Sequence, residues 1–178
     1  MKYIYNLSFL GILAVMCSAC KTQVITPAIV PPVEIEAPAP TSHSLGIIGA
    51  VEPVYVLPMK MPFAGRIDTG AETSSIDASD IKTFERDGEK WVSFTIVNRE
   101  TGEKHRFEKE LARQTTITRI NQHAKRLVVN LDVKLGNEII TAEFSLADRS
   151  KFEYQALIGR NILTGRAIVD TSLENTLH

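Results

Sequence analysis

Asp68 ends an apolar stretch, Phe63-Ala64-Gly65-Arg66-Ile67, and is followed by Thr69-Gly70-Ala71-Glu72-Thr73-Ser74-Ser75-Ile76. A strand running into a turn of small residues presents its terminal carboxylate to the surroundings instead of burying it. Gly70 tolerates positive φ and a close backbone approach, and the Thr69 hydroxyl can brace the loop. A carboxylate held this way can exchange a proton with a bound water or substrate. Asp-Thr-Gly alone is also the sequence of an ordinary capping or turn aspartate. A second segment changes its weight: Ala156-Leu157-Ile158-Gly159-Arg160-Asn161-Ile162-Leu163, near the C-terminus.

Ile67-Asp68-Thr69-Gly70-Ala71 together with Leu157-Ile158-Gly159-Arg160-Asn161-Ile162-Leu163 resembles the two signatures of retropepsin-like aspartic peptidases. Phe84-Glu85-Arg86-Asp87-Gly88, Trp91-Val92, Asp148-Arg149-Ser150, Gly165-Arg166 and Val169-Asp170 narrow the likeness to a bacterial retropepsin-like family that has carried the label ATP-dependent zinc protease. The resemblance spans residues 46–172. It implies an acid-protease fold of one lobe: an all-β closed barrel with one or two short helices. It also implies that Asp68, Thr69 and Gly70 are catalytic, and that Ala71, Glu72, Gly159, Arg160 and Asn161 support them. Arg160 is then expected to pair with Glu72.

The chemistry is that of two carboxylates sharing one proton, because like charges a few ångströms apart cannot both ionise. One acts as general base on a water and the other as general acid, so the titration belongs to the pair. One chain supplies one such aspartate. A homodimer with Asp68 and its mate on the twofold axis is therefore expected, acting on a peptide or protein substrate. Ile168-Val169-Asp170-Thr171-Ser172 also reads as a strand ending in Asp-Thr-Ser, but the few residues after it cannot build a second lobe. It is expected to be a terminal strand and turn. A functional alternative is a noncatalytic adaptor that keeps the fold and lacks the dimer or a working flap.

No cofactor is expected. His43, His105, His123 and His178 show no His-x-x-x-His pairing for zinc, and no Gly-rich loop ending in Lys-Ser/Thr is present for ATP. The net charge of -1, with mixed signs, excludes a broad basic field for nucleic acid.

Stepwise along the chain, residues 1–20 read as a lipoprotein signal peptide: Lys2, then Leu10 to Met16, a run too short to span a membrane convincingly. Ser18-Ala19-Cys20 resembles a bacterial lipoprotein processing site, which makes Cys20 the acylated residue and the outer membrane, facing the periplasm, the expected location, with secretion the alternative if Cys20 is not lipidated. Residues 21–45, with Pro31-Pro32 and Pro38-Ala39-Pro40, read as a disordered tether. The folded domain, 46–178, contains neither of the two cysteines, Cys17 and Cys20, so packing alone must hold it.

Alternation places Leu127, Val129, Leu131, Val133 and Leu135 on one strand face, with a Gly136-Asn137 turn and Ile140, Ala142, Phe144 and Leu146 returning. A second hairpin joins 92–97 to 105–107. Short helix is expected at Ser79–Phe84 and at Arg160–Leu163. A flap over the site is placed between Ala112 and Arg126 with its tip at Asn121-Gln122-His123, the 92–107 hairpin being the competitor.

Overall fold

The computed structural model describes residues 42–119 and 122–177. The expected signal segment, Cys20, most of the expected tether and Asn121 of the expected flap tip lie outside them. The elements are β1 (Gly46–Ile48), β2 (Val51–Val56), β3 (Phe63–Ile67), β4 (Ser74–Asp77), β5 (Ser79–Arg86), β6 (Glu89–Val97), β7 (Lys104–Arg119), β8 (Gln122–Leu135), β9 (Glu138–Ala147), β10 (Ala156–Ile158), α1 (Arg160–Leu163) and β11 (Ala167–Val169).

Nine strands follow the order β2-β3-β10-β4-β9-β8-β7-β6-β5, and a β2–β8 pairing closes the first six into a barrel. The fold is thus all-β and closed, with a single helical turn among the described residues. β8 makes the closure possible by its length. Its first half pairs with β7, its last residues pair with β2, and β9 runs along Val128–Leu135. Val129, Leu131, Val133 and Leu135 are buried, as are Ile140, Ala142, Phe144 and Leu146. These alternating faces fill the barrel together with Ile76, Ile158 and Ile162.

The hairpin β6–β7 also forms, with Phe94 directly opposite Phe107 and their rings stacked at 5.3 Å. Ser79–Phe84 is not helical; it is the first part of edge strand β5. Asp87 and Gly88 both adopt positive φ, as a two-residue type I′ hairpin turn requires, and so fold β5 back onto β6. Phe84 then faces Trp91, and Arg86 lies over both rings. That cross-strand cluster outweighs the weak helical preference of a short polar segment.

β1 and β11 form a separate parallel pair. Leu45, at the end of the expected tether, is buried, and its amide donates to Arg166 O at 2.8 Å. Asp170 is a turn residue: its Oδ1 accepts from the Ser172 amide and hydroxyl at 2.9 and 2.6 Å.

Candidate active site

β10 sits between β3, to which it is parallel, and β4, to which it is antiparallel. The connection from β3 to β4 must therefore pass around the end of β10, and Asp68 stands where it leaves the barrel. Two bonds fix that point: Ile67 N donates to Ala50 O at 3.0 Å, and Asp68 N donates to Ile158 O at 2.9 Å. Asp68 is half-buried. Its Oδ1 accepts the amides of Gly70 at 2.9 Å and Ala71 at 3.1 Å. The loop thus curls round its own carboxylate and orients it.

Gly70 serves that curl through space, not through unusual φ. A Cβ there would stand 3.2 Å from Asp68 Oδ1. Thr69 and Gly70 contribute their carbonyls, which accept Arg160 Nη1 at 3.0 and 2.8 Å. The expected Arg160–Glu72 ion pair does not form. A guanidinium presents several donors in a fixed fork, and here one of its nitrogens is used by two backbone oxygens of the loop itself. Glu72 is exposed.

The second signature locks the loop from behind. The amides of Arg160 and Asn161 donate to Ala71 O and Glu72 O at 2.9 and 3.1 Å. Asn161 Oδ1 accepts the amide and hydroxyl of Ser74 at 3.0 and 2.8 Å, while Ser74 Oγ accepts Gly159 N at 3.0 Å. Gly159 is required by contact: a Cβ would lie 2.9 Å from Thr73 C and 3.0 Å from Ala71 O. Asp68, Thr69, Gly70, Ala71, Glu72, Gly159, Arg160 and Asn161 are therefore one assembly.

Three participants escape sequence reading. Ser74 is wholly buried at the centre of the network. Arg149 is buried and donates through Nη1 to Ser75 Oγ and through Nε to Tyr154 O, both at 3.0 Å. Burial, then the charge of Arg126, holds Arg149 below the usual arginine value; Asp77 and Asp68 oppose this. Arg113, on β7, lines a groove of about 220 Å³ with Glu72, Thr73, Arg126 and Val128.

The donor set does not fit zinc: among the described residues no three of His, Cys, Asp and Glu converge. His105 instead packs edge-on against Phe107, 4.6 Å between centroids.

A closed six-strand barrel carrying an Asp-Thr-Gly loop braced by a Gly-Arg-Asn turn defines a retropepsin-type lobe. The chain belongs to the family described as RimB-like, retropepsin-like aspartic endopeptidase RimB, which residues 47–177 match. A crystal structure of a Legionella pneumophila protein of unknown function superposes with a TM-score of 0.66 at 31% identity, covering 75% of this chain and 98% of that one. A Desulfotalea psychrophila protein named probable alpha-L-glutamate ligase is 33% identical over 63% of this chain and 25% of its own length. A Shewanella pealeana protein of the same name is 34% identical over 60% of this chain and 24% of its own. The chain spans about a quarter of the length of these curated relatives.

Proposed function

We propose that this chain is an aspartic endopeptidase whose active site is completed by a second copy of itself. The observation that carries this reading is the Asp68 carboxylate, held at Oδ1 by the Gly70 and Ala71 amides in a loop that Gly159, Arg160 and Asn161 immobilise. Such bracing costs nothing at the moment of reaction. With Asp68 of a partner alongside, one carboxylate removes a proton from water and the water oxygen bonds to the peptide carbonyl carbon. The other carboxylic acid protonates the carbonyl oxygen. Collapse of the tetrahedral adduct breaks the C–N bond: the amine leaves with the proton taken from water, and one adduct hydroxyl gives its proton to the other carboxylate, restoring the singly protonated pair.

The ligase name of the relatives belongs to proteins about four times as long as the matching segment. It still suggests a substrate to try. Glutamate-rich peptides therefore belong among those offered. The lipid anchor at Cys20 and the periplasmic face of the outer membrane complete the proposal, on the strength of the N-terminal sequence alone.

The test is cleavage of a mixed peptide library by residues 45–178, wild type beside Asp68→Asn, from acidic to neutral pH with a strong chelator present. Wild type is expected to cleave, and Asp68→Asn to lose at least ~10²-fold in rate. Equal cleavage by both, or none by a folded wild-type dimer, overturns the reading and favours a noncatalytic adaptor.

A further inference from the structure

Arg113 joins segments that are distant in the chain. The β7–β8 register slips at Ala112, with Leu111 opposite Val129 and Arg113 opposite Val128. An extra residue in one strand bends it and re-aims the side chains that follow, a device common beside active sites. Past this bulge, Arg113 reaches across β8 to β9 and to the Asp68 loop. Its Nε and Nη2 meet Glu143 Oε2 at 2.8 and 2.7 Å, and Nη2 also donates to Thr73 Oγ1 at 3.1 Å. Glu143 is tied in turn to the second signature, because its carbonyl accepts Asn161 Nδ2 at 2.8 Å. An exposed ion pair by itself contributes little. Here two donors of one guanidinium fall on a single carboxylate oxygen, and a third contact reaches the loop between Ala71 and Ser74.

We propose that Arg113 is a positioning residue that ties β7, at its bulge, to the Asp68 loop and to β9. Glu143 aims the guanidinium, and Thr73 is the point on the loop that it grips. The groove that Glu72, Thr73, Arg113 and Val128 line then keeps the width an extended peptide requires. The kinetic consequence rests on the peptidase reading; the mechanical one does not.

Hydrogen–deuterium exchange and kinetics on Arg113→Ala, Arg113→Lys and Thr73→Val test this together. Arg113→Ala is expected to speed exchange of the amides between residues 111 and 129 by roughly tenfold, the loss of about one charge-assisted bond. The amides of β2 and β3 should be unchanged. Thr73→Val, which removes only the grip on the loop, should reproduce most of the effect, and Arg113→Lys should restore part of it. On a cleaved peptide, Arg113→Ala should raise KM about tenfold with kcat within about twofold, the signature of lost uniform binding. Unchanged hairpin exchange, exchange that rises everywhere at once, or a fall in kcat alone would overturn the proposal. A wild type that cleaves nothing sinks the peptidase reading, and the exchange result then decides the role of Arg113.

Discussion

Two glycines of the site are constrained by different neighbours, and the difference is measurable. At Gly70 an added methyl would meet only the Asp68 carboxylate, a side chain able to turn away. Gly70→Ala should therefore fold with nearly unchanged stability while its activity falls about tenfold or more, because the carboxylate loses its aim. At Gly159 the methyl would meet the backbone of Thr73, Ala71 and Ser74, none of which can move without opening the loop. Gly159→Ala should lose roughly 1–3 kcal/mol, the usual cost of overpacking. Urea unfolding beside peptide cleavage separates the two; a stability loss in Gly70→Ala matching that of Gly159→Ala would show the contrast to be mistaken.

At the scale of elements, a buried carboxylate fastens the chain's last described segment to the barrel. Glu52, on β2, is fully buried. Gly49 N at 2.5 Å and Thr176 Oγ1 at 2.7 Å donate to its Oε1, and Leu177 N at 2.9 Å donates to its Oε2. Burial pushes the carboxyl up, but the bonds from Thr176, Leu177 and Gly49 together carry it below its ordinary value of 4.5. A depressed folded pKa stabilises the protein above the unfolded pKa, and that stabilisation is lost as pH falls through the folded one. Glu52→Gln should thus cost about 2 kcal/mol at pH 7, where charge-assisted bonds become neutral and one amide loses its acceptor. The gap should shrink as wild type is taken below pH 4.5. Urea midpoints for both proteins at the two ends of that range check the sign; a pH-independent gap would remove Glu52 from the acid response.

The hairpins of the barrel were legible because a buried face imposes a period of two. Val129 to Leu135 and Ile140 to Phe144 show it, and it lapses only where Val128 and Ser145 are buried as well. Ser79–Phe84 was illegible by the same rule: β5 is an edge strand, exposed along nearly all its length, so nothing imposes alternation. Its signal was the Asp87-Gly88 turn. The Asp68 loop and its brace could be read because each is a short continuous segment. Ser74, Arg113 and Arg149 could not, since the side chains they meet, Asn161, Glu143 and Ser75, lie 87, 30 and 74 residues away and only the closed barrel brings them together.

The molecule as a whole displays one Asp68 per chain, and the proposed chemistry needs two. Subunit mixing tests that requirement without locating the interface. If wild type and Asp68→Asn are combined in equal amounts and allowed to exchange, random pairing leaves roughly a quarter of the dimers with both aspartates. Should each chain work alone, the mixture would keep about half the activity of an equal total amount of wild type. Should the dyad be shared, it would keep about a quarter, and dilution would lower the rate per chain as dimers dissociate. The first result, with a rate per chain that is independent of concentration, would overturn the shared site. The second would make dimerisation a control on activity, and anchoring many copies on one membrane would raise that activity by raising their effective concentration.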